Sequence, residues 1–194
     1  MFRYYQDREK LEQILLKNKD IKKHRKELLY LIPELRVCVN CTQNNPVHIY
    51  NVYEHIEETV NKLESNLILR MAALLHDIGK PYSKTTENGL DRFKGHEIDS
   101  EILSKLILKR LGYDREFIDT ISILVKYHNK KTELSIPDLS NTISIVGEDY
   151  MPYLLKLKNA DLNSHSKEYI HSKQPTLTKL GEIYKNNFNH NFKF

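Results

Sequence analysis

Apolar residues recur at three- and four-residue spacing along most of this chain, which is the spacing of one face of an α-helix. Leu11, Ile14 and Leu15 show this spacing near the N-terminus, and Leu124 and Val125 belong to a later example. Strict alternation of apolar and polar residues, which marks a half-buried strand, never persists. The pattern therefore predicts an all-α fold, a single compact bundle of about eight or nine helices.

The local signals give approximate bounds for these helices. We expect a first helix capped by Asp7, a second that runs through Leu28 to Pro33, and a break over the Asn-rich residues 37–50. Further helices are expected at about residues 50–64, 67–78, 96–111, 114–127, 149–162 and 176–188. Residues 80–95 are predicted to be a polar loop, and the region around Pro137 lies outside the predicted helices.

The length of 194 residues suits one domain with a substantial core, but not two domains and a linker. We therefore expect residues 1–194 to form one domain, in which a helical extension (1–35) precedes the core (36–165) and a C-terminal helix (166–194) follows it. The net charge of +4 weakly favours an anionic ligand, although it is small for a dedicated nucleic-acid-binding protein.

Neither a signal peptide nor an apolar run of roughly 18 residues is recognisable, so the sequence predicts a cytoplasmic protein without membrane contact. Cys38 and Cys41 are the only cysteines. They lack the second ligand pair of a zinc site and the βαβ context of a redox motif. We interpret both as reduced structural residues.

Several polar residues occupy helix positions that the apolar pattern predicts to be buried. They are His55, His76, Asp77, His128 and Asp161. An ionised carboxylate at such a position costs several kcal/mol unless a cation compensates it. A lone histidine on an apolar face is usually a core residue, but this number of imidazoles and carboxylates on separate helices is typical of ligands that converge on a metal ion.

The adjacent pair His76 and Asp77 limits how such ions can be bound. Neighbouring residues diverge by about 100 degrees around a helix, so both can bind one ion only at the helix edge. Alternatively, Asp77 lies between two ions, and His96 could then supply a further imidazole. Mixed imidazole and carboxylate ligands suit Mn, Fe, Co, Ni or Zn, with Mg also possible, so we expect one or two divalent ions of undetermined identity.

His55, the doublet His76-Asp77 and the distant Asp161 in a helical chain resemble the HD-domain superfamily of metal-dependent phosphohydrolases. The segments CTQNNPVHIYNVYEHI, ALLHDIGKP, RFKGHE and LVKYH look like those of the HD module attached to bacterial tRNA nucleotidyltransferases, the CCA-adding enzymes. The likeness extends from about Ile32 to Asp161. The chain has neither the Gly-Ser dipeptide nor the Asp-x-Asp pair of their polymerase domain, so we expect a stand-alone HD module that does not add nucleotides.

The resemblance implies hydrolysis of phosphomonoesters or phosphodiesters by metal-activated hydroxide, with nucleotides, 2',3'-cyclic nucleotides or RNA ends as candidate substrates. The implied ligands of the principal ion are His55, His76, Asp77 and Asp161, and those of a second ion include His96 and His128. Some two-metal members have two adjacent histidines where this chain has His128-Asn129, so a second ion could be bound less firmly or differently.

The predicted catalytic residues are Asp77, which could bridge ions or orient water, and Lys80, one turn after His76. Lys80 is also a predicted phosphate contact, together with Arg92 as a bidentate clamp and with His48. For these three contacts, a role in packing or at the surface fits the sequence about equally well. The remaining histidines, expected at the surface, are His24, His165, His171 and His190.

Two other classes of protein also fit this sequence. One is a non-catalytic module that uses the metal site to bind a nucleotide or RNA, although a full ligand set argues against it. The other is an all-α scaffold whose histidines are core residues, and this class predicts no stoichiometric metal. Nothing in the sequence indicates an obligate protein partner.

Overall fold

The computed structural model describes the backbone of residues 2–194 and the side chains of residues 6–194. The α-helices of this part are α1 (Phe2–Lys17), α2 (Arg25–Leu31), α3 (Arg36–Val39), α4 (Val52–Asn61), α5 (Leu67–Leu75), α6 (Lys80–Ser83), α7 (His96–Arg110), α8 (Arg115–Tyr127), α9 (Ile136–Val146), α10 (Met151–Leu162) and α11 (Lys167–Asn187). Two 3-10 helices, Ile21–His24 and Pro33–Leu35, flank α2. The strands are β1 (Thr85–Glu87) and β2 (Leu90–Arg92). The predicted all-α class is confirmed.

Helix α5 lies at the centre of the core. Its residues from Leu69 to Leu75 are all buried, which is expected for a helix that is apolar on nearly every face. It packs against α1, α4, α8 and α10. The hydrophobic core around it includes side chains from Leu11 to Phe192, so both ends of the chain contribute to it. The proposed division into extension, core and C-terminal helix stays a prediction.

A buried arginine connects the N-terminal helix to this core. Arg70 on α5 is only 3% exposed. Its guanidinium donates to the carbonyls of Leu15 and Asn18 at the end of α1, and to those of Leu63 and Glu64 after α4. The last carbonyls of a helix lack partners within the helix and carry the negative end of its dipole. Arg70 therefore fixes the position of α1 relative to α4 and α5.

Two helix starts differ from the predicted ones. Helix α1 begins at Phe2, so Asp7 lies inside the helix and its predicted role as a cap is wrong. Helix α11 begins at Lys167 instead of residue 176, because the Ser166 hydroxyl caps it by accepting the N–H of Tyr169. Pro175 lies inside this helix on its exposed side. The capping residue, and not this proline, determines where the helix begins.

The region around Pro137 is helical, in contrast to the prediction. The Ser135 hydroxyl accepts the N–H of Asp138 and begins α9, and Pro137 occupies the first turn, where no helical N–H bond is required. Leu139, Thr142 and Val146 are its buried residues. Ser135 is a capping signal that the sequence shows, but the prediction did not include it.

The predicted polar loop 80–95 contains a short helix and a β-hairpin. Strands β1 and β2 pair antiparallel, with Glu87 opposite Leu90. Asn88 and Gly89, which connect them, both have positive φ, 52° and 76°. An Asn-Gly pair is a strong local signal for a two-residue hairpin turn. The expectation that strands have little support is therefore wrong for these residues.

The remaining general expectations concern cysteines and membranes. Cys38 and Cys41 are both free and buried, as predicted, and burial raises the pKa of the Cys38 thiol. Among the helices of the described residues, none combines the length and the apolar character required to cross a bilayer.

Candidate metal centre

The carboxylate of Asp77 has two imidazoles near each of its oxygens. Oδ2 lies 3.2 Å from His76 Nε2 and 3.5 Å from His55 Nε2. Oδ1 lies 3.2 Å from His96 Nε2 and 3.6 Å from His128 Nε2. Asp77 is 1% exposed. Its two oxygens therefore face two different pairs of histidines.

Asp161, from the end of α10, joins the first of these pairs. Its Oδ1 lies 2.8 Å from His55 Nε2 and 3.8 Å from His76 Nε2. The ligand atoms of His55, His76 and Asp161 lie within 4.8 Å of one another, and so do those of His76, Asp77 and His128. The structure thus brings all six sequence-predicted metal ligands into one cluster.

Backbone carbonyls determine which ring nitrogen of each histidine faces this cluster. His76 and His128 are the C-caps of α5 and α8. Their Nδ1 atoms lie 2.7 Å from the carbonyl of Ala73 and 2.6 Å from that of Val125, in the last turns where carbonyls lack helical partners. A carbonyl only accepts, so Nδ1 carries the proton. Nε2 of each ring is then the atom that faces the cluster.

The other two histidines are oriented in the same way. His96 Nδ1 donates to the carbonyl of Phe93 over 2.7 Å, and His55 Nδ1 donates to that of Ser164 over 3.2 Å. Donation by the outer nitrogen to a backbone carbonyl is how metal-bound histidines are commonly oriented. All four Nε2 atoms are therefore available as ligand atoms.

The pair His96 and His128 requires a cation. Their Nε2 atoms are only 3.3 Å apart, and both rings already donate through Nδ1. If both rings were neutral, two lone pairs would face each other at this distance. A proton or a metal ion near both nitrogens removes that repulsion, and Asp77 Oδ1 stands beside them to balance the charge.

Buried polar atoms without hydrogen bonds mark the same place. Both oxygens of Asp77 and Nε2 of His76 are buried and lack a hydrogen-bond partner among the described residues. The Lys80 ammonium lies 2.6 Å from Asp77 Oδ2, but at an angle outside hydrogen-bond geometry. Burying a carboxylate without such partners is costly. The donor set and its unpaired atoms therefore fit one or two divalent cations.

The charges of the cluster favour ionised carboxylates. Burial alone would raise the pKa of Asp77, but the charges of His76 and Lys80 keep this pKa well below its usual range. For Asp161, burial is likewise outweighed, mainly by the adjacent His55 imidazole, and the pKa is again far below the usual value. Ionised carboxylates are the form that binds a metal ion.

The histidines divide according to their surroundings. Burial lowers the pKa of His55 and of His128, which keeps both rings neutral. Burial also opposes charge on His76, but the nearby Asp77 outweighs it and raises the pKa of His76. Neutral imidazole is the metal-binding form, so His55 and His128 are ready to bind and His76 would release a proton on binding.

A cleft of about 370 Å³ opens onto the cluster. Its lining includes the three predicted phosphate contacts, Lys80, Arg92 and His48. Lys80 is nearly buried and Arg92 is exposed. Burial lowers the pKa of His48 to about 3, so this ring is neutral near pH 7, and its Nδ1 has no hydrogen-bond partner in the part of the chain that the structure describes.

His165 is the main residue that the prediction misplaced. It was expected at the surface, but it lines the cleft and is largely buried. Its ring centroid lies 4.7 Å from that of His48 and 4.8 Å from that of His55, and its Nδ1 donates to the carbonyl of Asp161. The spacing of four residues from Asp161 was the available signal.

The other three histidines expected at the surface are not part of the cluster. His171 and His190 are exposed, and His24 is partly buried beside Glu27. Asn129 and Tyr169, which the prediction did not assign, also line the cleft.

A family model described as "HD domain" matches residues 47–165, which is more than half of the chain. This range contains all six predicted metal ligands of the cluster. The resemblance inferred from the sequence is confirmed at the level of the family.

Three curated proteins are similar to parts of the chain. The A-adding tRNA nucleotidyltransferase of Deinococcus radiodurans is 35% identical over 104 residues, which are 50% of this chain and 24% of that protein. The CC-adding tRNA nucleotidyltransferase of Thermus thermophilus is 31% identical over 141 residues, 67% of this chain and 31% of that protein. The bifunctional uridylyltransferase/uridylyl-removing enzyme of Gluconobacter oxydans is 28% identical over 181 residues, 77% and 18% respectively. The matches span less than a third of each relative.

Proposed function

We propose that this chain, which belongs to the HD domain family, is a metal-dependent phosphohydrolase that cleaves phosphate esters of nucleotides or of RNA ends. The observation that carries the proposal is the arrangement at Asp77, whose two buried oxygens each face a different pair of imidazole nitrogens. This arrangement supports two adjacent cations that share one carboxylate.

The proposed ligands of the first ion are His55, His76, Asp77 and Asp161, and those of the second are Asp77, His96 and His128. When bound, divalent ions lower the pKa of water and stabilise negative charge on phosphate oxygens. The protein's own contribution is to fix the imidazole tautomers through backbone carbonyls and to keep both carboxylates ionised.

The positively charged side chains at the cleft would bind the substrate. Lys80 and Arg92 bring positive charge next to the cluster, and phosphate oxygens accept hydrogen bonds from both types of side chain. His48, which is neutral, could donate or accept one hydrogen bond through its unpartnered Nδ1. A cleft of about 370 Å³ suits a ligand of nucleotide size or the end of a longer chain.

The proposed substrate class, nucleotides or RNA, is based on the three curated proteins that are similar to this chain. Two of them are named for the addition of A or CC to tRNA, and one is named for transfer and removal of uridylyl groups. These names support a nucleotide or an RNA end as substrate, and both monoesters and diesters remain within the proposal. The matches cover less than a third of each relative, so they do not support the activity of any whole relative for this chain.

The test uses untagged protein. We expect hydrolysis of bis(p-nitrophenyl) phosphate with added Mn²⁺, followed by turnover of at least one member of a panel of nucleotides, 2',3'-cyclic nucleotides and short RNAs. Asp77→Ala should abolish turnover, while the matched control His171→Ala, at an exposed histidine, should retain it. Bound metal without turnover of any substrate would instead support a non-catalytic binding module.

A further inference from the structure

The Lys80 ammonium is held at one side of the cleft by two oxygen atoms. Its Nζ lies 2.6 Å from Asp77 Oδ2 and 2.8 Å from Gln43 Oε1, and only 7% of the side chain is exposed. The ring of Phe93 lies 5.4 Å from the same nitrogen. An ammonium has three N–H donors. One is directed at Gln43 Oε1, and Asp77 contributes its charge from outside hydrogen-bond geometry, so an N–H remains for a ligand in the cleft.

Gln43 is itself fixed in orientation. It is buried, and its Nε2 donates to the carbonyl of Tyr50 over 3.2 Å, so its Oε1 must be the atom that faces Lys80. Gln43 lies between α3 and α4 and does not line the cleft. Without this amide, the ammonium would retain only the carboxylate and could rotate about its long side chain.

The next residue, Asn44, is connected through the hairpin to Arg92, the second positively charged side chain at the cleft. Its backbone N–H donates to Asp91 Oδ2 over 2.7 Å, and its carbonyl accepts the N–H of Asp91 over 2.9 Å. Asp91 is buried and also accepts from Thr86 Oγ1 and pairs with Lys84. Arg92 follows directly, with its exposed side chain at the cleft. The position of β2, and hence of Arg92, depends on this connection.

We propose that the dipeptide Gln43-Asn44 positions the two positively charged side chains, Lys80 and Arg92, that receive the substrate phosphate. Gln43 directs the free N–H of Lys80 into the cleft, and Asn44 fixes Arg92 through Asp91. This inference rests on the proposed function, because it assumes that Lys80 and Arg92 bind phosphate. Both residues of the dipeptide are positioning residues, since neither lines the cleft.

The first test is a double-mutant cycle between Gln43 and Lys80, measured as the affinity of the metal-loaded protein for pyrophosphate by titration calorimetry. We expect Gln43→Leu to weaken binding about tenfold when Lys80 is present and less than about twofold in the Lys80→Met background. Gln43→Glu keeps an acceptor oxygen at the same position, so it should weaken binding less than Gln43→Leu does. Metal content and the far-UV circular dichroism spectrum should be unchanged in all of these variants.

The second cycle pairs Asp91 with Arg92. Asp91→Asn should weaken pyrophosphate binding about threefold in the presence of Arg92 and not in the Arg92→Ala background. In either cycle, equal losses in both backgrounds would show that the change acts through general structure and would overturn the proposed positioning.

Turnover is measured in parallel to separate this inference from the proposed function. A wild-type protein that binds pyrophosphate but hydrolyses no ester contradicts the proposed function, while the cycles still decide the positioning. Turnover with additive losses contradicts the positioning alone. A wild-type protein that does not bind pyrophosphate overturns the positioning as well, because the two cations would then receive no phosphate.

Discussion

Helix α5 carries one buried charge on its body and is followed by another of opposite sign. Arg70 is 3% exposed and donates to four backbone carbonyls, so its polar atoms are supplied with partners. Asp77, just beyond the helix end, is 1% exposed and neither of its oxygens has a hydrogen-bond partner among the described residues. Burial alone therefore does not distinguish a structural charge from a functional one. The difference lies in whether the protein itself supplies the partners.

The largest expected effect is the loss of metal from Asp77→Ala. We expect metal affinity and turnover to fall by more than about 100-fold, the upper end of the losses seen when a mere hydrogen-bond partner of a ligand is removed. Elemental analysis and steady-state kinetics measure both. An Asp77→Ala variant that still binds stoichiometric metal would contradict the assignment of Asp77 as a ligand.

Arg70→Met should show the reverse behaviour. The substitution leaves four buried carbonyls without their donor, so we expect the free energy of unfolding to fall by about 3 kcal/mol. Turnover and metal content of the folded protein should stay at wild-type values. Urea unfolding provides the measurement, and Arg115→Ala, whose side chain is 95% exposed, is the control, with a change below about 0.5 kcal/mol. Loss of metal from folded Arg70→Met would remove the contrast between the two charges.

Lys80→Ala tests a residue between these extremes, since its ammonium contacts Asp77 but also faces the cleft. We expect the variant to retain its metal and to lose turnover about tenfold, because a phosphate-binding charge is missing while the proposed ligands remain. Parallel metal analysis and kinetics separate the two effects. Stoichiometric loss of metal together with activity would instead make Lys80 a structural partner of the cluster.

The smallest effect concerns His48, a half-buried ring whose buried Nδ1 has no hydrogen-bond partner among the described residues. Burial lowers its pKa from 6.5 to about 3. Between these values the unfolded chain binds the proton more readily, so this group's contribution to stability is complete above pH 6.5 and is lost as the pH falls towards 3. Urea unfolding of the metal-free protein at pH 7 and pH 5 should show a smaller decrease for His48→Gln than for wild type. Equal decreases would refute the assignment.

Most of the helices and five of the six cluster residues could be predicted because they depend on local periodicity, whereas His96 was proposed from its place at a helix start and from the resemblance. His76 and Asp161 fall at the ends of apolar stripes that can be followed residue by residue. His165 lies beyond the last turn of α10, where the stripe no longer applies, and so it was assigned to the surface. The Asn-Gly turn at residue 88 and the Ser135 cap were readable signals that went unused.

Other features could not be read from the sequence because they depend on contacts between distant segments. Gln43 meets Lys80 only when the segment between α3 and α4 packs beside α6, and no local pattern indicates that contact. The same holds for Arg70, whose carbonyl partners include residues more than 50 positions away. The absence of partners at Asp77 is likewise visible only when every neighbour is in place.

The most direct test of the central claim is anomalous diffraction from crystals of the untagged protein loaded with Mn²⁺. We expect a strong anomalous peak beside Asp77 Oδ2, within ligand distance of His76, and, when a second ion binds, another beside Oδ1, near His96 and His128. No peak at Asp77 at saturating Mn²⁺, or peaks only elsewhere on the surface, would contradict the assignment of this cluster as a metal centre.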